Sequence, residues 1–264
     1  MSDLGERRAD NGRGRSAGAA DPTPLIVVEG LGKSFRGRPA LGGVTFSVPE
    51  GEVFGLVGPN GSGKTTLLRI LVTLLPADEG RATIGGFAVD ESPEEVRALI
   101  GYVPDHSGTY PRLDATQFLE LFAGVYRLPR SQRRRMALEL LEVVGLADRA
   151  GDDIATFSRG QQQRLGLARA LLHDPSVLLI DDISSLDPRA QAELEHLVDE
   201  LHQAGKTIIV TSHQLAELEG MCTWVGLLVD GSMLATGPLA EVRSGRTLRQ
   251  AFLDLIPAER PASP

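Results

Sequence analysis

Cysteine is close to absent from this 264-residue sequence. The one thiol, Cys222, excludes a disulfide within the chain and fits a reducing compartment. Long apolar runs are missing as well. No window approaches the ~18 apolar residues that a membrane-spanning helix needs. The N-terminus lacks the apolar core of a secretion signal. Positive charge is in deficit: 27 Lys and Arg stand against 35 Asp and Glu, a net charge of -8, which argues against a general nucleic-acid binder. What remains, 42 % apolar and 23 % charged residues, is ordinary for one large globular domain or two small ones.

Residues 1–24 are rich in Gly, Ala, Arg and Asp and almost free of large apolar side chains. Such a segment cannot bury enough surface to offset its ordering entropy, so a disordered tail is expected there. The closing PAERPASP reads the same way. Between the tails, short β-rich runs alternate with helical patterns. LIVVE (25–29), VTFSV (44–48) and VFGLV (53–57) predict strands. TTLLRILVTLL (65–75) predicts a helix. Residues 105–173 are mostly helical in pattern and predict an inserted helical subdomain. Strand, helix, strand and helix follow in SVLLID, DPRAQAELEHLVDELHQAG, KTIIVTS and QLAELEGMC. WVGLLVDGSMLATG predicts a hairpin turning at Asp230-Gly231. This alternation predicts an α/β fold with a parallel sheet. A C-terminal helix and a flexible tail are expected over 241–264.

GPNGSGKTT (58–66) matches G-x-x-x-x-G-K-[ST] and sits between a predicted strand and a predicted helix, the context the motif requires. Gly58, Pro59, Asn60, Gly61, Ser62 and Gly63 turn backbone N–H groups toward a phosphate, and the helix N-terminus adds positive partial charge. Lys64 would neutralise β and γ phosphates. Thr65 would ligate Mg²⁺, with Thr66 beside it. The buried strand SVLLID would deliver Asp181 beside the metal, through water or directly. An apolar strand ending in Asp is common on its own; paired with the phosphate loop it is specific.

FSRGQQQR (157–164) resembles the signature sequence of ATP-binding-cassette (ABC) proteins, with Ser158, Gly160 and Gln161 matching. Other features fall in that family's order: an aromatic ahead of the phosphate loop (Phe35), a polar residue after IGYVP (Asp105), the acidic strand, and His213 after IIVTS. The resemblance covers roughly residues 25–240. It implies a P-loop NTPase (RecA-like) parallel-sheet core, an N-terminal antiparallel β subdomain and an inserted α-helical subdomain. It further implies roles. Phe35 would stack on adenine, or else simply pack. Asp105 would sense Mg²⁺ and the attacking water, ligating the metal through its carboxylate, or else be a solvated acid. Asp182 would polarise the water, and His213 would contact the γ-phosphate. The signature and Asp187 would meet a second subunit's ATP. LPRSQRRRM would be a solvated helix face rather than a lipid or permease contact.

The sequence departs from the family in four places. Asp105 stands where Gln is usual, Arg159 replaces a Gly, and Asp182 replaces a Glu. The segment from Asp182 to Asp187 lacks a Pro and one residue. A carboxylate misplaced by about 1 Å can cost on the order of a hundredfold in rate. The resemblance therefore implies an ATP-binding subunit, using ATP and Mg²⁺, that dimerises and powers a separate membrane permease, in exporter style. It would be cytoplasmic and peripheral on the inner face of the membrane, without nucleic acid. The alternatives are a regulatory subunit that binds ATP but hydrolyses it poorly, and an ABC ATPase outside transport.

Overall fold

In the computed structural model, residues 23–105, 112–184 and 186–255 are described. The expected tails therefore lie outside the described residues except for their inner ends, as do His106 and Ser185.

The alternating runs near the start pair locally. β1 (Pro24–Phe35) pairs antiparallel with β2 (Arg38–Pro49) on one edge and with β4 (Glu79–Ile84) on the other. β4 in turn pairs with β5 (Phe87–Ala88). This makes a four-stranded antiparallel sheet of order β2-β1-β4-β5. β1 runs well past the five residues expected from its apolar core. Register shifts carry it beyond Val28, so pairing continues through a glycine-rich stretch that breaks strict alternation.

The remaining strands form one six-stranded sheet of order β10-β9-β3-β8-β7-β6. β3 (Val53–Val57), β6 (Ile100–Val103), β7 (Val177–Ile180), β8 (Thr207–Ser212) and β9 (Trp224–Val229) are parallel; β10 (Ser232–Pro238) is antiparallel to β9. Asp230 and Gly231, both at positive φ, make the tight turn between β9 and β10. Every residue of β3, β7 and β8 is buried, as befits a sheet covered on both faces. Two apolar clusters, one on each side, form the core.

The helices are α1 (Lys64–Leu71), α2 (Pro93–Leu99), α3 (Ala115–Val125), α4 (Arg130–Val143), α5 (Arg159–Leu171), α6 (Pro188–Gln203), α7 (Leu215–Glu219), α8 (Leu239–Arg243) and α9 (Leu248–Leu255). α1 stops four residues short of the expected Leu75. Thr73 turns left-handed, and the N–H groups of Leu74 and Leu75 both donate to the Arg69 carbonyl. α3, α4 and α5 all come between β6 and β7. Because β3, β6, β7 and β8 run in one direction, their C-terminal ends gather at one edge of the sheet. In open α/β sheets that edge is where ligands bind.

Candidate functional site

β3 ends at Val57 and hands over to the loop 58–63 and α1. Gly63 has φ +104, and a Cβ there would lie 2.6 Å from the Ala40 carbonyl oxygen of β2, so only glycine fits. The Lys64 Nζ donates to the carbonyls of Gly58 (2.7 Å) and Pro59 (3.0 Å), which folds the ammonium over the loop. Burial lowers its pKa, while Asp182 and Asp181 oppose the shift. Asn60, Gly61, Gly63, Lys64, Thr65, Thr66 and Asp182 line one cavity of about 260 Å³. The Ser62 hydroxyl of the same loop is buried without a hydrogen-bond partner. An anionic ligand in the cavity would offset the desolvation of Lys64, so a phosphate chain fits this loop.

Asp181 follows β7 directly and is 1 % exposed. Its Oδ1 accepts from the Thr65 hydroxyl (3.2 Å) and the Thr211 hydroxyl (2.9 Å), and the Tyr102 hydroxyl lies 3.5 Å from Oδ2. Burial pushes the Asp181 carboxyl above the usual range, against those hydroxyl donors. Burial and the nearby Asp181 push the Tyr102 phenol up to about 12. Among the described residues no three His, Cys, Asp or Glu side chains could hold a metal together. The Thr65 hydroxyl and the Asp181 carboxylate are nevertheless hard oxygen ligands, which suits a Mg²⁺ that takes its remaining ligands from phosphate and water.

Asp182 adopts φ +43. Its N–H donates to the Thr211 hydroxyl (2.8 Å), and its Oδ1 accepts from the Ser184 N–H (3.0 Å), an Asx turn. That local turn suits an aspartate; a glutamate carboxylate would overshoot the same N–H. His213 Nδ1 stands 3.7 Å from Oδ1. Burial acts to raise the Asp182 carboxyl, but bonds from Ser184, together with His213 and Lys64, outweigh it and hold the group below the usual carboxylate range. The Ser184 hydroxyl meets the Ser212 hydroxyl at 2.8 Å and accepts from the His213 N–H at 3.0 Å. Ser212 also donates to Glu217, a buried carboxylate on α7.

Two of the departures from the family pattern meet each other. Arg159, the first residue of α5, pairs with Asp105, which follows β6. Ser158 caps α5: its hydroxyl accepts from the Gln161 N–H, and the Gln161 side chain accepts from the Ser158 N–H. Gly160 is pressed against Ala190 of α6. Asp187 caps α6 through the N–H groups of Arg189 and Ala190, both at 3.0 Å. Ser158, Gly160, Gln161 and Asp187 line a second cavity of about 330 Å³ that shares no lining residue with the first. Phe35 ends β1 and is 47 % exposed, with the Lys33 ammonium 5.7 Å from its ring centre.

Sequence reasoning did not find Tyr102, Ser184, Thr211, Ser212 or Glu217. The one signal was the pair of hydroxyl residues, Thr211 and Ser212, that follows the apolar residues 208–210 in β8.

The sequence model of the family described as ABC transporter matches residues 41–185, more than half of the 264 residues. The chain belongs to the ABC transporter family. As an ABC ATP-binding subunit, it is 34 % identical over 221 residues to the linearmycin resistance ATP-binding protein of Bacillus subtilis, covering 83 % of this chain and 71 % of that one. It is 36 % identical over 220 residues to a daunorubicin resistance ATP-binding protein of Streptomyces coeruleorubidus, covering 83 % and 70 %. Against an uncharacterised ABC transporter ATP-binding protein of Synechocystis, also 36 % identical, it spans only 56 % of the relative's length. A solved ATP-binding subunit of an ABC transporter superposes with a TM-score of 0.78 at 30 % identity, covering 88 % of this chain and 99 % of that one. A dimeric cassette in a post-hydrolysis state with ADP and Pi superposes with a TM-score of 0.74 at 28 % identity, over 81 % and 99 %. The P-loop NTPase fold of this ABC subunit and its use of ATP rest on that agreement.

Proposed function

We propose that this ABC subunit binds and hydrolyses Mg-ATP in a two-cassette dimer and drives export through a permease carried on a separate chain. The cassette spans 25–240 in this reading, and its helical insertion, 105–173, passes motion to the permease. The subunit would sit peripherally on the cytoplasmic face of the membrane. No helix among the described residues is long and apolar enough to cross one. The names of relatives, linearmycin resistance, daunorubicin resistance and Nod factor export, support the direction of transport.

The carrying observation is the cavity that brings Lys64, Thr65 and Asp182 together beside Asp181. Lys64 neutralises the terminal phosphates. Thr65 and Asp181 would hold Mg²⁺, which would supply charge neutralisation to the phosphates. The Asp182 carboxylate, already ionised, accepts the proton of the attacking water. His213, beside it, faces the γ-phosphate. Phe35, about half exposed, would stack on adenine.

A second reading rests on the Asx turn. With Oδ1 tied to Ser184, Asp182 is a restrained base. A subunit that binds ATP and hydrolyses it slowly would serve a regulatory role beside a competent partner. Single-turnover hydrolysis with parallel binding separates the two, using Lys64→Ala as the blank. Binding with hydrolysis above the blank supports the motor. Binding without hydrolysis, together with a rise in rate in Asp182→Glu, supports the regulatory subunit. A well-placed base contributes roughly 10²–10⁴-fold, which sets the range to be resolved. No binding of ATP overturns both readings.

A further inference from the structure

The geometry points to Thr211 as a positioning residue that sets both aspartates with one hydroxyl. Thr211 is fully buried one residue before the end of β8. Its Oγ1 donates to Asp181 Oδ1 at 2.9 Å and accepts from the Asp182 N–H at 2.8 Å. Its carbonyl accepts from the Ile183 N–H at 3.1 Å. Three consecutive residues after β7 are thus hung from one residue of the neighbouring strand. A hydroxyl has a single proton, and here that proton is directed at Asp181. The lone-pair side is left for the Asp182 N–H, so the two bonds are compatible and mutually orienting.

This arrangement has a consequence for the left-handed turn at Asp182. A non-glycine residue at positive φ persists only where its surroundings over-determine it. The Asp182 N–H bond to Thr211 on one side and the Ser184 N–H bond to Oδ1 on the other do that. Thr65 also donates to Asp181 Oδ1 and keeps its lone pairs for a metal. Thr211 is the shorter of the two donors to Oδ1, and the one that also holds the Asp182 N–H. The inference rests on the reading of Asp181 as a Mg²⁺ ligand and of Asp182 as the base.

The test uses the full chain with Thr211→Val, which keeps shape and removes the hydroxyl, and Thr211→Ser, which keeps the hydroxyl. Binding of a fluorescent ATP analogue is measured with Mg²⁺ and with EDTA, alongside kcat, KM and the melting temperature. For Thr211→Val the expected result is EDTA affinity within about twofold of native. The Mg²⁺-dependent gain in affinity should fall about tenfold or more, so KM for Mg-ATP should rise accordingly, and kcat should fall about tenfold or more. Thr211→Ser should recover both to within about threefold. A Thr211→Val chain with native Mg²⁺ gain and native kcat overturns the inference. So does a Thr211→Ser chain that fails as far as Thr211→Val, because the missing methyl would then be responsible. If Thr211→Val does not fold, Thr211→Ala carries the same comparison. A native chain whose affinity is equal in Mg²⁺ and EDTA overturns the metal reading itself, and the native arm alone reveals it.

Discussion

Cys222 lies behind β3, where a Cβ on Gly55 would come within 2.6 Å of its sulfur. The thiol is almost fully buried, and burial pushes its pKa far above the ordinary value. The sign of the linkage follows. Below the ordinary thiol pKa, about 8.5, both folded and unfolded chains keep the proton. Above it the unfolded chain ionises while the folded chain does not, so stability falls as pH rises, by up to about 1.4 kcal/mol per pH unit. Urea unfolding of native protein and Cys222→Ala at pH 7 to 10 should show native stability declining relative to the variant above pH 8.5. A constant gap would mean the thiol titrates in the fold. Reach in sequence also explains which site residues were legible. Lys64, Thr65 and Asp181 follow from short runs whose neighbours make the chemistry. Thr211 touches Asp182 across 29 positions, and Arg159 finds Asp105 across 54, so local pattern carries no trace of either contact. The positive φ of Asp182 was equally hidden, because it follows from those distant bonds.

α5 and α6 approach each other where Gly160 meets Ala190. A Cβ on Gly160 would stand 2.5 Å from the Ala190 Cβ, well inside contact distance. Gly160→Ala should destabilise the chain by about 1–3 kcal/mol through overpacking. Adding Ala190→Gly removes the obstructing methyl and should return part of that loss. Denaturant midpoints of the two single variants and the double variant measure the coupling; strictly additive losses would show that the helices relax apart instead. Gly160 reads in sequence only as part of the signature, and its packing duty appears once α6 is placed. Elements themselves were legible where the pattern was strong. Buried runs became β3, β7 and β8, and the Asp230-Gly231 turn closed β9 on β10. The misses came where a tertiary partner overrode local preference. β1 extends because two neighbouring strands hold it through its register shifts, and α1 ends early because the chain reverses at Thr73.

One chain presents two cavities that share no lining residue, one at the phosphate loop with Lys64 and one at the signature with Ser158; in the proposed reading each is half of an ATP site. Closing them on a single ATP within this chain would require the α5 N-terminus to travel, yet Arg159 anchors it to Asp105. Two copies related by a two-fold axis need no such movement, since each phosphate loop can face the other copy's signature and both contacts form at once. The arrangement predicts complementation. Lys64→Ala removes the phosphate-loop half, and Ser158→Arg blocks the signature half. A homodimer of either variant contains no intact composite site. A mixed dimer contains one, made from the Ser158→Arg chain's loop and the Lys64→Ala chain's signature. Sedimentation with ATP should therefore show monomers for each variant alone and a dimer for the equimolar mixture. Because only mixed pairs close, every dimer formed has one good site of two, so about half of the native number of composite sites should return. If Ser158→Arg alone dimerises with ATP as the native chain does, the signature cavity plays no part in the interface and the two-chain site fails.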